Sequence, residues 1–199
     1  MSERNHTFVI CAYKESPYLE ACIQSLQAQT VPSRILMVTS TPNPWIEKCS
    51  EKYGIPLEIN TGEKGITQDW NFAYHKAKTE FITIAHQDDV YLPGYTEQIL
   101  TRLKKAKKPL IAFTDYGELR EGKVELYNQL LKIKRLMLFP LRGKIFSGSR
   151  FVRRRILSMG CPICCPSVTF ARKNLPEKIF RAGFRSDEDW EAWERLSRE

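Results

Sequence analysis

Asp88 and Asp89 are adjacent carboxylates that follow the apolar run "FITIA" at 81–85. Such a β-branched, apolar run reads as a buried strand, so the pair falls where that strand opens into solvent. Like charges side by side repel, and neither can be buried unpaired. Aspartates at a strand end suit a hard divalent ion, which takes oxygen ligands and meets proteins through one or two carboxylates plus substrate phosphates. Mg2+ or Mn2+ is therefore expected here, with Asp88 and Asp89 as ligands. The simpler alternative is that the two acids cap a helix entered near Pro93. A third acid, Asp189, lies in "SDEDWEAWERL". Ser186 with an acid three positions later fits a capping box, and the helix dipole favours carboxylates in a first turn. A carboxylate in a partly dry cleft also suits a general base near neutral pH. Both readings of Asp189 stand at this point.

These residues need a scaffold, and the chain supplies a regular one. "TFVICAY" at 7–13, "RILMVT" at 34–39, "PLEIN" at 56–60 and "EFITIA" at 80–85 read as strands. Ser16-Pro17 and Asn43-Pro44 are cap-and-proline signals for the helices between them. Leu19, Cys22, Ile23 and Leu26 fall at i, i+3, i+4 and i+7, one apolar helix face. Ile46, Cys49 and Tyr53 continue a second helix, and Ile66, Trp70, Ala73 and Ala77 mark one side of a third. Strand and helix alternating in this way indicate βαβ units on a parallel sheet. Beyond Pro93-Gly94 a helix through Leu103, a strand at 109–116 and a hairpin turning at Glu121-Gly122 are expected. Residues 126–138 read as helical, 148–158 as a loop or short amphipathic helix, and 166–171 as a strand. The last helix buries Trp190, Trp193 and Leu196. Ligands of open α/β sheets gather beyond the carboxyl ends of the strands, and three predicted tips there are polar: "AYKE", "TSTPN" and "HQDD".

With 199 residues the chain has the length of one ordinary domain. A single domain is expected, in two halves at 1–116 and 117–199. No run reaches the roughly 18 apolar residues of a spanning helix, and the N-terminus has no secretory pattern, so a cytoplasmic location is expected. Six cysteines without that pattern read as reduced thiols. The cluster "CPICC" at 161–165 lacks the second pair of ligands that a structural zinc site wants. The net charge of +8 is uneven: nine basic residues and no acidic one lie between Asn128 and Arg155. Such a stretch fits a membrane surface, a polyanion or nucleic acid. No nucleic-acid motif or interleaved stacking aromatics accompany it, so no nucleic acid is expected and peripheral contact of 126–157 with an anionic membrane is. "GEKG" at 62–65 matches neither the dinucleotide fingerprint nor the P-loop, which disfavours dehydrogenases and P-loop kinases. His6 and His75 read as core or solvated residues, as do the tryptophans, although Trp190 beside Asp189 could touch an acceptor.

Three blocks, in order, resemble family-two glycosyltransferases with the GT-A fold. "FVICAYKESPYLEACIQSLQAQT" is similar to the opening strand and helix of that family. "KGITQDWNFAYHKAKTEFITIAHQDDVYLPGY" resembles its helix with a buried-side asparagine followed by the strand with an Asp-rich metal motif. "GFRSDEDWEAWERL" resembles the helix that presents Glu-Asp to the acceptor. The resemblance implies an α/β fold with a mostly parallel central sheet, helices on both faces and a mixed acceptor-side region. It implies that Ala12, Tyr13 and Glu15 lie along the base and ribose of a nucleotide-sugar donor, with Asn71 also on the donor side. Asp88 would bind the metal with Asp89 beside it, and Asp189 would take the proton of a saccharide or lipid-linked acceptor, with inversion at the sugar. Residues 1–116 would then form the nucleotide-sugar-binding half and 117–199 the acceptor-side half.

The chain departs from that pattern in three places. His86 stands where the family usually has Asp, "TSTPN" has no acidic residue at the second strand tip, and the chain stops ten residues after Asp189. The first leaves a hexosyl or deoxyhexosyl donor open and keeps a nucleotide-sugar-binding protein without turnover as an alternative. The last suggests a C-terminally truncated member. A nucleotidyltransferase would share the metal but should carry a glycine-rich phosphate loop, and "AYKESPY" contains no glycine.

Overall fold

In the computed structural model, which describes residues 5–142, 144–184 and 186–199, six strands form one sheet in the order β3-β2-β1-β4-β8-β5. They are β1 (His6–Cys11), β2 (Arg34–Thr39), β3 (Leu57–Ile59), β4 (Phe81–His86), β5 (Ile111–Phe113) and β8 (Val168–Ala171). The first four are mutually parallel, and β8 runs antiparallel between β4 and β5. The hairpin β6 (Glu118–Arg120) and β7 (Lys123–Glu125) stands apart from this sheet. Its two-residue turn uses positive φ at both Glu121 (48°) and Gly122 (75°), the combination that matches strand twist.

The helices are α1 (Leu19–Gln27), α2 (Pro44–Tyr53), α3 (Ile66–Lys76), α4 (Tyr95–Lys105), α5 (Gln129–Leu138), α6 (Lys144–Ser147), α7 (Arg150–Leu157) and α8 (Glu188–Leu196). Period-two alternation along β1 sends Phe8 and Ile10 to one face and Val9 to the other. The first face packs with Leu19, Cys22, Ile23 and Leu26 of α1, Ile46 of α2 and Ile99 of α4. The second packs with Trp70, Ala73 and Tyr74 of α3 and Ala192, Trp193 and Leu196 of α8. Buried on both faces, β1 and β4 must be almost wholly apolar, which is why they read so clearly in the sequence.

Four local expectations need correction. Helix α1 begins at Leu19, because the Ser16 hydroxyl closes a turn by accepting the Tyr18 N–H (3.2 Å) instead of capping a helix. Ile66 is 55% exposed, since at the first position of α3 no preceding turn lies beneath its side chain. The buried side of α3 is Thr67, Trp70, Asn71, Ala73 and Tyr74. The strand expected at 109–116 is ordered only over Ile111–Phe113. Before α8 the Ser186 capping box does not form: Asp187 holds the N-cap position and its side chain caps nothing. Elsewhere Asn43 caps α2 as expected, accepting the Ile46 N–H at 3.0 Å.

Candidate active site

Parallel registry brings the carboxyl ends of β2, β1 and β4 level, with Cys11 paired to both Val38 and His86. At the β4 end, ligand atoms of His86, Asp88 and Asp89 all lie within 4.8 Å of one another. Burial, and then the charge of Asp88, pushes the Asp89 carboxyl up to about 6. Among the described residues neither carboxylate has a lysine or arginine within ion-pair reach. His86 Nδ1 is 3.9 Å from Asp89, but burial lowers the imidazole to about 4 against a smaller opposing effect of Asp88. The ring is therefore neutral near pH 7 and offers a lone pair rather than a counter-charge. Its Nε2 is buried without a hydrogen-bond partner, and the ring lies stacked on Trp70. One neutral nitrogen and two clustered carboxylates with no balancing cation fit a divalent ion. His86, Asp88 and Asp89 would hold it, and a bound divalent ion supplies charge neutralisation for a phosphate leaving group.

The tip of β1 is tied to this motif. The Gln87 side chain accepts the Tyr13 N–H at 3.0 Å and donates to the Tyr13 carbonyl at 2.9 Å. Tyr13 itself is 52% exposed, Ala12 is buried with its N–H on Val38, and Glu15 is exposed. Lys14 between them has φ of 52°, unusual for a residue with a side chain. Its N–H is held by the Thr41 hydroxyl at 3.0 Å.

The β2 tip lacks acids in sequence, yet an acidic group stands there. Asp69 of α3 accepts from the Ser40 hydroxyl at 2.6 Å and from the Asn60 amide at 2.8 Å. These partners follow β2 and β3, so a carboxylate sits under the ends of both strands. The sequence marks Asp69 only as one polar residue among several, between Gln68 and Trp70 in the first turn of α3.

Asn71 has a structural task. Its Oδ1 accepts the N–H groups of Ile179 (3.1 Å) and Phe180 (3.0 Å), and its Nδ2 donates to the Phe180 carbonyl at 2.8 Å. The amide thus latches the segment that leads to α8, and its contacts run to backbone on the α8 side. Asp189 sits in the first turn of α8, where its carboxylate accepts the Trp190 N–H at 2.7 Å. Burial holds the Asp189 carboxyl above its ordinary value. The Trp190 indole donates to the Leu157 carbonyl at 2.8 Å, tying α8 to α7. All six cysteines are free. The Cys164 thiol is pushed up to about 12, first by burial and then by Asp89, with Asp189 adding a smaller push. That thiol therefore lies within electrostatic range of both acidic centres.

A parallel sheet with polar carboxyl ends, helices on both faces and one antiparallel insertion defines a GT-A-like α/β protein. Residues 7–180 match the model of glycosyl transferase family 2, and the chain belongs to that family. Asp189 lies beyond the matched residues. No curated protein sequence matches the chain. Among solved structures, glucosyl-3-phosphoglycerate synthase from Mycobacterium tuberculosis with Mn2+ and UDP-glucose is similar at a TM-score of 0.58 and 12% identity. The alignment covers 86% of this chain and 57% of that one. The same enzyme with Mn2+, UDP and phosphoglyceric acid gives equal values: TM-score 0.58, 12% identity, 86% and 57%. The chain thus spans just over half the length of these structures.

Proposed function

We propose that this protein is a divalent-metal-dependent, inverting glycosyltransferase acting from a nucleoside-diphosphate sugar, hexosyl or deoxyhexosyl, on a saccharide or lipid-linked acceptor, in cell-surface polysaccharide synthesis. The observation that carries it is the His86, Asp88 and Asp89 cluster at the carboxyl end of β4, whose Asp89 acts on the Cys164 thiol together with Asp189 of α8. Tyr13 and Glu15 border the donor nucleotide, with Gln87 fixing the Tyr13 backbone against the metal-binding turn. Asp88 and Asp89, with His86, would hold a divalent ion, Mg2+ or Mn2+, that would neutralise charge on the diphosphate. The acceptor oxygen attacks the anomeric carbon while the bond to the diphosphate oxygen breaks. Its proton passes to the Asp189 carboxylate, and the nucleoside diphosphate leaves with the bonding pair. Attack opposite the leaving group inverts the centre. A carboxyl raised by burial is a better proton acceptor at neutral pH than an exposed one, so the shift of Asp189 supports its role.

A thermal-shift panel of UDP-, GDP-, CDP- and dTDP-sugars, with and without Mn2+, tests the donor assignment. Metal-dependent stabilisation should appear with wild type and vanish in Asp88→Ala. Equal stabilisation of both proteins overturns the assignment, and donor binding with no transfer to any acceptor identifies a binding protein.

A further inference from the structure

No acidic residue occurs between Glu125 and Glu177, and the structure turns that stretch into a cationic, apolar surface. Helix α5 buries Leu131 and turns Lys132, Ile133 and Leu136 outward, with Leu136 75% exposed. The chain continues through Phe139 (65% exposed) and α6 to α7, which packs against both the turn after α5 and α6. On α7, Ile156 and Leu157 face the core, while Phe151 (78% exposed) projects between Arg154 and Arg155 at i+3 and i+4. Some cations of the stretch are engaged: Arg135 pairs with Asp115, Lys134 donates to the Tyr116 hydroxyl, and Arg153 bonds backbone carbonyls. Lys132, Arg142, Arg154 and Arg155 have no carboxylate partner among the described residues.

Exposed large side chains on successive turns, each flanked by free cations, are costly in water and unexplained by the sheet they adjoin. A second copy would place like charges opposite one another. An anionic bilayer answers both features, because aromatic and aliphatic side chains enter the headgroup boundary while lysine and arginine remain at phosphate level. No described helix is long and apolar enough to cross a membrane, so the surface would lie on the bilayer rather than span it. We propose that the outward faces of α5 and α7, with Phe139 between them, form a docking surface for anionic phospholipid membranes. This deepens the glycosyltransferase reading by favouring a lipid-linked acceptor, but docking itself requires no catalysis.

Co-sedimentation of the full chain with phosphatidylcholine vesicles, with and without phosphatidylglycerol, tests it. Binding should require phosphatidylglycerol and weaken with salt. Arg154→Gln should lower the affinity about fivefold, as should Arg155→Gln, the effect of about 1 kcal/mol per surface cation. Leu136→Ser and Phe151→Ser should weaken binding without lowering Tm, both side chains being exposed. Lys107→Gln with Lys108→Gln, beyond the end of α4, should change little. Equal loss in that control would mean unspecific charge attraction and overturn the surface. So would vesicle binding independent of phosphatidylglycerol, or a dimer abolished by Leu136→Ser. Nucleotide thermal shifts on the same preparations keep a failure of docking distinct from a failure of the donor assignment.

Discussion

The Trp70 indole lies stacked on the His86 imidazole, with ring centroids 5.2 Å apart and planes inclined by 14°. This contact fixes the nitrogen-bearing member of a candidate metal cluster otherwise made of carboxylates. It also helps to keep the ring dry, and burial is what holds His86 neutral. An imidazole ligand favours first-row transition ions over Mg2+, which prefers oxygen. Nucleotide stabilisation should therefore be stronger with Mn2+ than with Mg2+. His86→Asp should narrow that difference by restoring an all-oxygen set. Thermal shifts with each metal measure it, and an unchanged metal preference in the variant means that His86 does not ligate.

Asp69 makes a separate prediction about the nucleotide base. Its two oxygens accept one bond each from Ser40 and Asn60, which leaves lone pairs free. A carboxylate there attracts a base with a ring N–H, such as uracil, thymine or guanine, and repels the ring acceptor of cytosine. UDP, dTDP or GDP should stabilise the protein more than CDP. A hydrogen bond to a charged group contributes about 1.5–3 kcal/mol, so Asp69→Asn should weaken the preferred nucleotide by about 10- to 100-fold. Isothermal titration decides it, and retention of CDP discrimination by the variant refutes the role.

His6 should make stability depend on acid. Its Nδ1 is 2.8 Å from the Ser33 hydroxyl and its Nε2 is 2.9 Å from that of Thr83. Burial lowers the imidazole to about 3, against about 6.5 in the unfolded chain. Between those values the unfolded state binds a proton that the folded state refuses. Stability is fully present above about 6.5 and falls by about 1.4 kcal/mol per pH unit below it. In urea titrations the advantage of wild type over His6→Gln should shrink as pH falls from about 7.5 to about 4.5. A constant difference over that range would show that His6 takes up its proton alike in the folded and unfolded states, and that burial does not hold it neutral.

The elements that could be read from sequence are those whose burial leaves no choice of residue. β1 and β4 are enclosed on both faces, and Asn43 caps α2 through a contact three residues away. Ser16 and Ser186 carried the same local signal, but Ser16 closes a turn and α8 starts from Asp187 with no bond from that N-cap side chain. Local propensity alone does not separate these outcomes. Insertion of β8 between β4 and β5 was not legible, since its partners lie far away in sequence. The same holds for the carboxylate that Asp69 brings to the β2 tip and for the Asn71 latch on Phe180. In each case the partner is set by sheet topology rather than by spacing along the chain.

Asp189 is where cap and base make different demands. Its carboxylate accepts the Trp190 N–H, an interaction that an asparagine oxygen reproduces. Replacement of a cap acid by asparagine costs about 0.5 kcal/mol or less, below the roughly 1 kcal/mol of a deleted cap. A general base must instead take a proton, which an amide cannot do, and its loss typically costs about 100- to 10,000-fold in rate. Asp189→Asn should therefore leave Tm and nucleotide binding almost unchanged while removing most sugar transfer. The pH profile supplies a second, independent reading. Burial raises the Asp189 carboxyl, so the basic form is present above its folded pKa and is lost as pH falls through it. Transfer by wild type should fall on the acidic side, and the residual rate of Asp189→Asn should lose that limb. Glu188→Gln tests the neighbouring acid, whose side chain points about 100° away around the helix and which should leave the limb in place. If Asp189→Asn retains transfer within about twofold of wild type, far short of a base effect, the carboxylate only caps α8.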